Sequence, residues 1–152
     1  MSIEVRLEEC PFDPGAELNA LLGEAAGDGA VVSFVGTVRS RSKEGHPLDA
    51  LILEEHPLLT RQSLEEIATA AARRFDVSHV RVVHRCGELH PGEPIVFAGA
   101  ASPHRRAAFE AADYLMDRLK TEAVLWKREQ SGAGSHWIEP TGADYRERER
   151  WG

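Results

Sequence analysis

Cysteine is scarce in this 152-residue chain, which has only Cys10 and Cys86. Two thiols outside any Cys-x-x-Cys pair, with no histidines at zinc-finger spacing, give no basis for a disulfide scaffold or a structural zinc site. Both are expected to be buried or half-buried, idle thiols of a reducing compartment rather than sulfur relays. His46, His56, His79, His84, His90 and His136 show no metal-ligand spacing either, so no metal is expected and these histidines read as surface or structural. Long apolar runs are missing: "MSIEVRLEEC" alternates apolar and polar residues, unlike a signal peptide, and no stretch reaches membrane-spanning length. The expected location is cytoplasmic. Positive charge is also in deficit. A formal net charge of -7 argues against a protein built to coat nucleic acid, so any anion site must be local. No Gly-x-Gly-x-x-Gly or Walker pattern follows "FVGTVRSRS", which leaves nucleotide-binding loops unsupported. Lysine is rare, occurring as Lys43, Lys120 and Lys127.

What remains is ordinary for a folded chain: 42% apolar and 28% charged residues, one domain spanning 1–152, and no repeat or linker. Ile3, Val5 and Leu7 alternate as in a strand. Asp13 and Pro14 open a helix carrying Leu18, Leu21, Leu22 and Ala25, which "GDG" stops. "AVVSFVGTVRS" and "LDALILEEH" read as strands joined by the basic loop "SRSKEGHP", which is long for a hairpin. Thr60 to Phe75 is an amphipathic helix. "HVRVVHRCGEL" and "PIVFAGAAS" flank "HPGE" as a hairpin. Ser102 is expected to cap a third helix, with Pro103 at its first position, that runs to about Lys120. Ala123 to Glu129 and "SHWIE" follow as strands. Residues 140–152 read as a flexible, charged tail. Helices set among strand runs, with at least one hairpin, make the class α+β.

Two places carry unusual charge. His104, Arg105 and Arg106 fall in the first turn of the third helix, where cations oppose the macrodipole unless an anion joins the free N–H groups there. Solvated charges and an anion site account for that pattern equally well. Lys120 closes the helix, where a cation suits the dipole. Lys127 is harder to explain. It would sit mid-strand beside Leu125, where a partly buried ammonium needs an anionic partner or a lowered pKa. A lysine desolvated beside other cations is a route to an amine nucleophile or proton carrier near neutral pH. The residues alone lead to a candidate anion-binding catalytic cluster.

"GAVVSFVGTVR", "LILEEHP", "HRCGELHPGEPIVFAGAASPHRRAAFEAADYLMDRLKTEAVLWKRE" and "HWIE" strongly resemble the molybdopterin synthase large (catalytic) subunit, the MoaE family, over about residues 28 to 139. The resemblance implies an α/β hammerhead core with an additional antiparallel β subdomain. It implies a central homodimer that forms a two-plus-two heterotetramer with a small ubiquitin-like sulfur-carrier subunit ending in Gly-Gly. The implied reaction moves sulfur from the carrier's C-terminal thiocarboxylate to cyclic pyranopterin monophosphate, forming the dithiolene of molybdopterin, with no cofactor. The family's motif residues fall on Thr37, Val38 and Arg39, on His104 and Arg105, on Lys120, and on Lys127, Arg128 and Glu129. Lys120 is implied to lie nearest the reacting tail, with nucleophilic or acid/base work. Lys127 would support it and hold substrate, while Arg39, His104 and Arg105 would anchor phosphate and pterin. For loop 40–47 and the tail beyond Pro140 the resemblance implies no contacts. Two rival readings use the same cations: an adaptor that docks a ubiquitin-like tail, and a small-anion or RNA-binding module built on Arg39, Arg105 and Lys127.

Overall fold

The computed structural model describes residues 1–152, with elements β1 (Ser2–Glu8), α1 (Pro14–Glu24), β2 (Ala30–Thr37), β3 (Leu48–Glu55), α2 (Leu59–Arg74), β4 (His79–Arg85), β5 (Gly87–Leu89), β6 (Pro94–Ser102), α3 (Arg105–Glu122), β7 (Leu125–Ser131), β8 (Gly134–Ile138) and α4 (Gly142–Glu149). The strands form two four-stranded sheets, ordered β1-β4-β6-β2 and β5-β3-β7-β8. Only β1 and β4 pair in parallel; the second sheet is wholly antiparallel. The fold is α+β, as the order of elements in the sequence suggests.

Strand alternation decides which helix covers which face of the first sheet. Val5, Val80, Val82, Val96, Ala98 and Ala100 point to one side, where they bury Leu64, Ile67 and Ala71 of α2 and Ala111, Leu115 and Leu119 of α3. Val83, Phe97 and Ala101 point the other way, against Leu21 and Ala25 at the end of α1. Asp13 caps α1 through Gly15 N at 2.9 Å, with Pro14 first in the helix. Glu17 of α1 is buried and takes a guanidinium from each of two strands, Arg6 at 2.6 Å and Arg81 at 3.1 Å. Burial alone would raise its carboxyl, but the two arginines outweigh burial and hold it below the usual carboxylate range. A smaller cluster of Val38, Leu51, Leu53 and Leu89 fills the space where the two sheets meet.

Three expectations change. The run His79–Leu89 is not one strand. It leaves the first sheet at Cys86, turns at Gly87 with φ +90°, and continues as β5 beside β3 of the second sheet. A side chain at Gly87 would be strained in that left-handed backbone. The helix expected to start at Ser102 starts at Arg105 with His104 as its N-cap. Ser102 instead ends β6, fully buried, donating to Asp76 O at 2.7 Å and accepting from His104 N at 3.0 Å. The segment expected to be a frayed tail contains α4, which opens on a reciprocal capping box between Thr141 and Asp144. It docks on α3 through Arg148–Glu122 at 2.7 Å and Arg150–Asp117 at 2.6 Å, and Trp151 Nε1 donates to Asp117 at 2.7 Å. The Trp151 ring meets Phe75 and Tyr114 edge-on at 5.7 and 5.5 Å. No helix is long and apolar enough to cross a membrane.

Candidate active site

The link between α3 and β7 is clamped from below by two hydroxyls of α2. Thr60 Oγ1 donates to Val124 O at 2.5 Å, and Ser63 Oγ accepts from Val124 N at 3.0 Å. Both residues are buried. With Val124 fixed, Lys120 is held in the last turn of α3 and Lys127 near the start of β7. Lys120 is exposed, whereas Lys127 is half-buried between Leu53 of β3 and Ile138 of β8. Burial, then the charge of Lys120, push the Lys127 ammonium down to about 8, with Asp144 of α4 acting in the opposite direction. Lys127 can therefore carry or release a proton near neutral pH.

Other groups gather on the same side of β7. Glu129 shares the Lys127 face by alternation. Its carboxyl is raised by burial, with Arg39, His136 and Lys43 opposing and Glu44 reinforcing the shift. Arg39 and the loop 40–47 therefore reach the second sheet. That loop is held by an Arg41–Pro47 bridge and by Arg41 donating to Gly45 O at 2.8 Å. Asp144 feels Lys120 and Lys43, so all three lysines of the chain act on one region. Behind Lys127 lies His84, 5% exposed, its Nδ1 2.8 Å from the Arg85 carbonyl. A carbonyl can only accept, so Nδ1 carries the ring proton. Burial, helped by the charge of Lys127, pushes His84 down to about 4, and it stays neutral near pH 7. His84, Lys43 and Asp144 are site residues that sequence reasoning missed. A histidine placed among the valines of "HVRVVHR" was the available signal for the first.

Several expected residues stand apart. His104 and Arg105 are exposed at the other end of the 18-residue α3, about 22 Å from Lys120 at the helical rise of 1.5 Å per residue. One copy of the chain cannot bring them to the lysine pair. Arg105 and Arg106 instead line a surface pocket with Phe109, Glu110 and Asp113. Val38 is 4% exposed in the small core, so only its neighbours Thr37 and Arg39 present side chains to solvent. Arg128 points to the opposite face of β7 from Lys127, where it donates to Ser135 Oγ at 2.8 Å and stacks on Trp137 at 5.8 Å. Cys86 is buried and its thiol is pushed up to about 11, chiefly by burial, which is the reverse of an activated thiolate.

The family model described as MoaE protein matches residues 7–122. The molybdopterin synthase catalytic subunit of Pseudomonas aeruginosa is 44% identical over 147 residues, covering 97% of each chain. That of Escherichia coli is 45% identical over 141 residues, covering 93% of each. Among solved structures, a molybdopterin biosynthesis MoaE protein from Burkholderia ambifaria superposes with a TM-score of 0.83 at 37% identity, covering 98% of this chain and 97% of that one. A chain from the protein–protein complex of subunits 1 and 2 of molybdopterin-converting factor from Helicobacter pylori shares the fold, with a TM-score of 0.72 at 19% identity over 88% and 89% of the two chains. By these matches the chain belongs to the MoaE family of molybdopterin synthase catalytic subunits, enzymes of molybdopterin biosynthesis.

Proposed function

We propose that this chain transfers sulfur from the C-terminal thiocarboxylate of a small ubiquitin-like carrier to cyclic pyranopterin monophosphate, using Lys120 and Lys127 as its working amines and no cofactor. The observation that carries the reading is the lysine pair: one exposed amine at a helix end and one half-buried amine held near pH 8, fixed by the same clamp at Val124. Both reactants bring negative charge, so a cationic pocket on an acidic protein attracts them locally. The carrier's sulfur first displaces an oxygen substituent from a substrate carbon; that oxygen takes a proton and leaves as water, and the acyl–sulfur bond of the resulting thioester must then break. Water adds to the acyl carbon, the carrier leaves as a carboxylate, and the sulfur stays on the pterin. The neutral amine of Lys127 accepts the water's proton, while protonated Lys120 gives its proton to the sulfur as the acyl–sulfur bond breaks. Arg39 and Lys43 supply further cations for the phosphate.

The distance along α3 suggests how His104 and Arg105 take part. In a homodimer, one subunit's His104 and Arg105 can complete the lysine site of the other, so that phosphate is gripped from both chains. The carrier completes a two-plus-two assembly, in line with the two-subunit complex formed by the fold relative from Helicobacter pylori. The test is reconstitution of the purified protein with thiocarboxylated carrier and cyclic pyranopterin monophosphate. Dithiolene product that depends on Lys120 supports the reading. Carrier binding without product would leave an adaptor.

A further inference from the structure

We propose that Asp28, acting through Ser78, is a positioning residue for His104 and Arg105, the pair assigned above to gripping the substrate's phosphate. The inference rests on that assignment. Three connections meet at one end of the first sheet: the α1–β2 turn at 27–29, the α2–β4 turn at 76–78 and the β6–α3 link at 103–104. Ser78 Oγ donates to Asp28 Oδ2, which joins the first two. The Ser78 N–H donates to Ala101 O at 2.8 Å and Ser102 Oγ donates to Asp76 O at 2.7 Å, so the second turn is bonded to the last residues of β6. From the other side, Gly29, at φ +105°, lies so close to Pro103 that a Cβ there would stand 3.2 Å from the Pro103 carbonyl oxygen.

Ser78, His79 and Asp28 are the residue types of a hydrolytic triad, but their bonding is not that of a nucleophile. The hydroxyl gives its proton to Asp28, so Nδ1 of His79, 2.8 Å from Ser78 Oγ, is the donor to its lone pair. Serine thus stands between the ring and the carboxylate, whereas a triad puts the ring between the other two. The cluster is a clasp, and what it clasps is the entry to α3. That helix has no side-chain cap. Its N-cap N–H, on His104, is held at 3.0 Å by the buried Ser102 Oγ, and the N–H groups of its first turn stay free for an anion. The direction of His104 and Arg105 is therefore set by the Ser102–Pro103 link and by the two turns packed on it. In the shared site proposed above, no short covalent path holds this pair against the lysines it serves, so its placement depends on this hydrogen-bonded end of the sheet.

The test compares Asp28→Ala, Ser78→Ala and Asp28→Asn with the wild type. Asn keeps an oxygen that can accept from Ser78; the two alanine variants remove the bond. In the protein alone, without carrier or pterin, the imidazole proton resonances of His104, identified by their absence in His104→Gln, should shift in both alanine variants and hold their place in Asp28→Asn. In the reconstituted assay the alanine variants should raise KM for cyclic pyranopterin monophosphate about fivefold and keep kcat within about twofold, with Asp28→Asn near the wild type. Should Asp28→Ala not fold, Ser78→Ala carries the comparison. The proposal is overturned if the folded alanine variants leave the resonances in place, or leave KM unmoved while His104→Ala raises it. Shifted resonances with KM unmoved in His104→Ala and Arg105→Ala would leave the positioning standing and overturn the anchoring role of that pair instead.

Discussion

Lys120 and His84 show how differently two side chains of one site respond to substitution. Lys120 is exposed at a helix end, where its dipole contribution is below about 1 kcal/mol, so Lys120→Ala should keep fold and carrier binding while abolishing product. Lys120→Arg is the sharper comparison, because guanidinium keeps the charge but cannot deprotonate or attack. Arginine should be nearly as inactive as alanine in the reconstituted assay; near-normal turnover would reduce Lys120 to an electrostatic clamp. His84 acts on stability. Its folded pKa of about 4 lies below the ordinary histidine value of 6.5, so between those values the unfolded chain binds more protons and stability falls as pH drops. In His84→Gln, whose amide can still donate to the Arg85 carbonyl, urea midpoints should lose the part of the acid decline that begins near pH 6.5. A decline parallel to the wild type would show that His84 does not titrate in this way.

Among the elements, α1 reaches the first sheet only because β6 has a glycine beneath it. A Cβ at Gly99 would come within 2.7 Å of Leu21 Cδ2 and 3.0 Å of Phe97 Cε1. Gly99→Ala should therefore destabilise the protein by about 1–3 kcal/mol in urea unfolding, the usual cost of overfilling a packed core. Unchanged stability would mean that α1 can lift off without loss. The elements themselves were largely legible. Alternation located β1 and helical spacing located α1 and α2, because each has one buried face, whereas the strands around "HPGE", buried on both faces, were marked by the turn residues Pro91 and Gly92. Two features were hidden for physical reasons. Gly87 divides one apolar run between two sheets, and the pairing partner of β5 is Leu51–Leu53, far away in sequence. Helix α4 has almost no apolar stripe of its own and is held by ion pairs with α3 and by Trp151, so its order depends on contacts that local sequence does not display. Lys120 and Lys127 stood out because lysine is rare and one of them sits on a strand. Asp144 did not, because a capping residue looks the same whether or not lysines face it.

At the level of the whole molecule, the separation of His104 and Arg105 from Lys120 predicts shared sites. Arg105→Ala and Lys120→Ala homodimers should each be inactive. Mixed and allowed to exchange subunits, they should recover about a quarter of wild-type activity, since half of the dimers would be mixed and each would hold one intact site of two. Recovery of none, with exchange verified by mass spectrometry, would show that each site is built within one chain or that His104 and Arg105 serve elsewhere. The same geometry limits how such a chain can change its length. Helix α3 sets the spacing between its two functional ends through an unbroken backbone, so inserting a single residue would rotate one end about 100° against the other as well as lengthening the rod. The β7–β8 turn carries no such phase relation. Insertions and deletions should therefore be tolerated there and excluded from Arg105–Glu122.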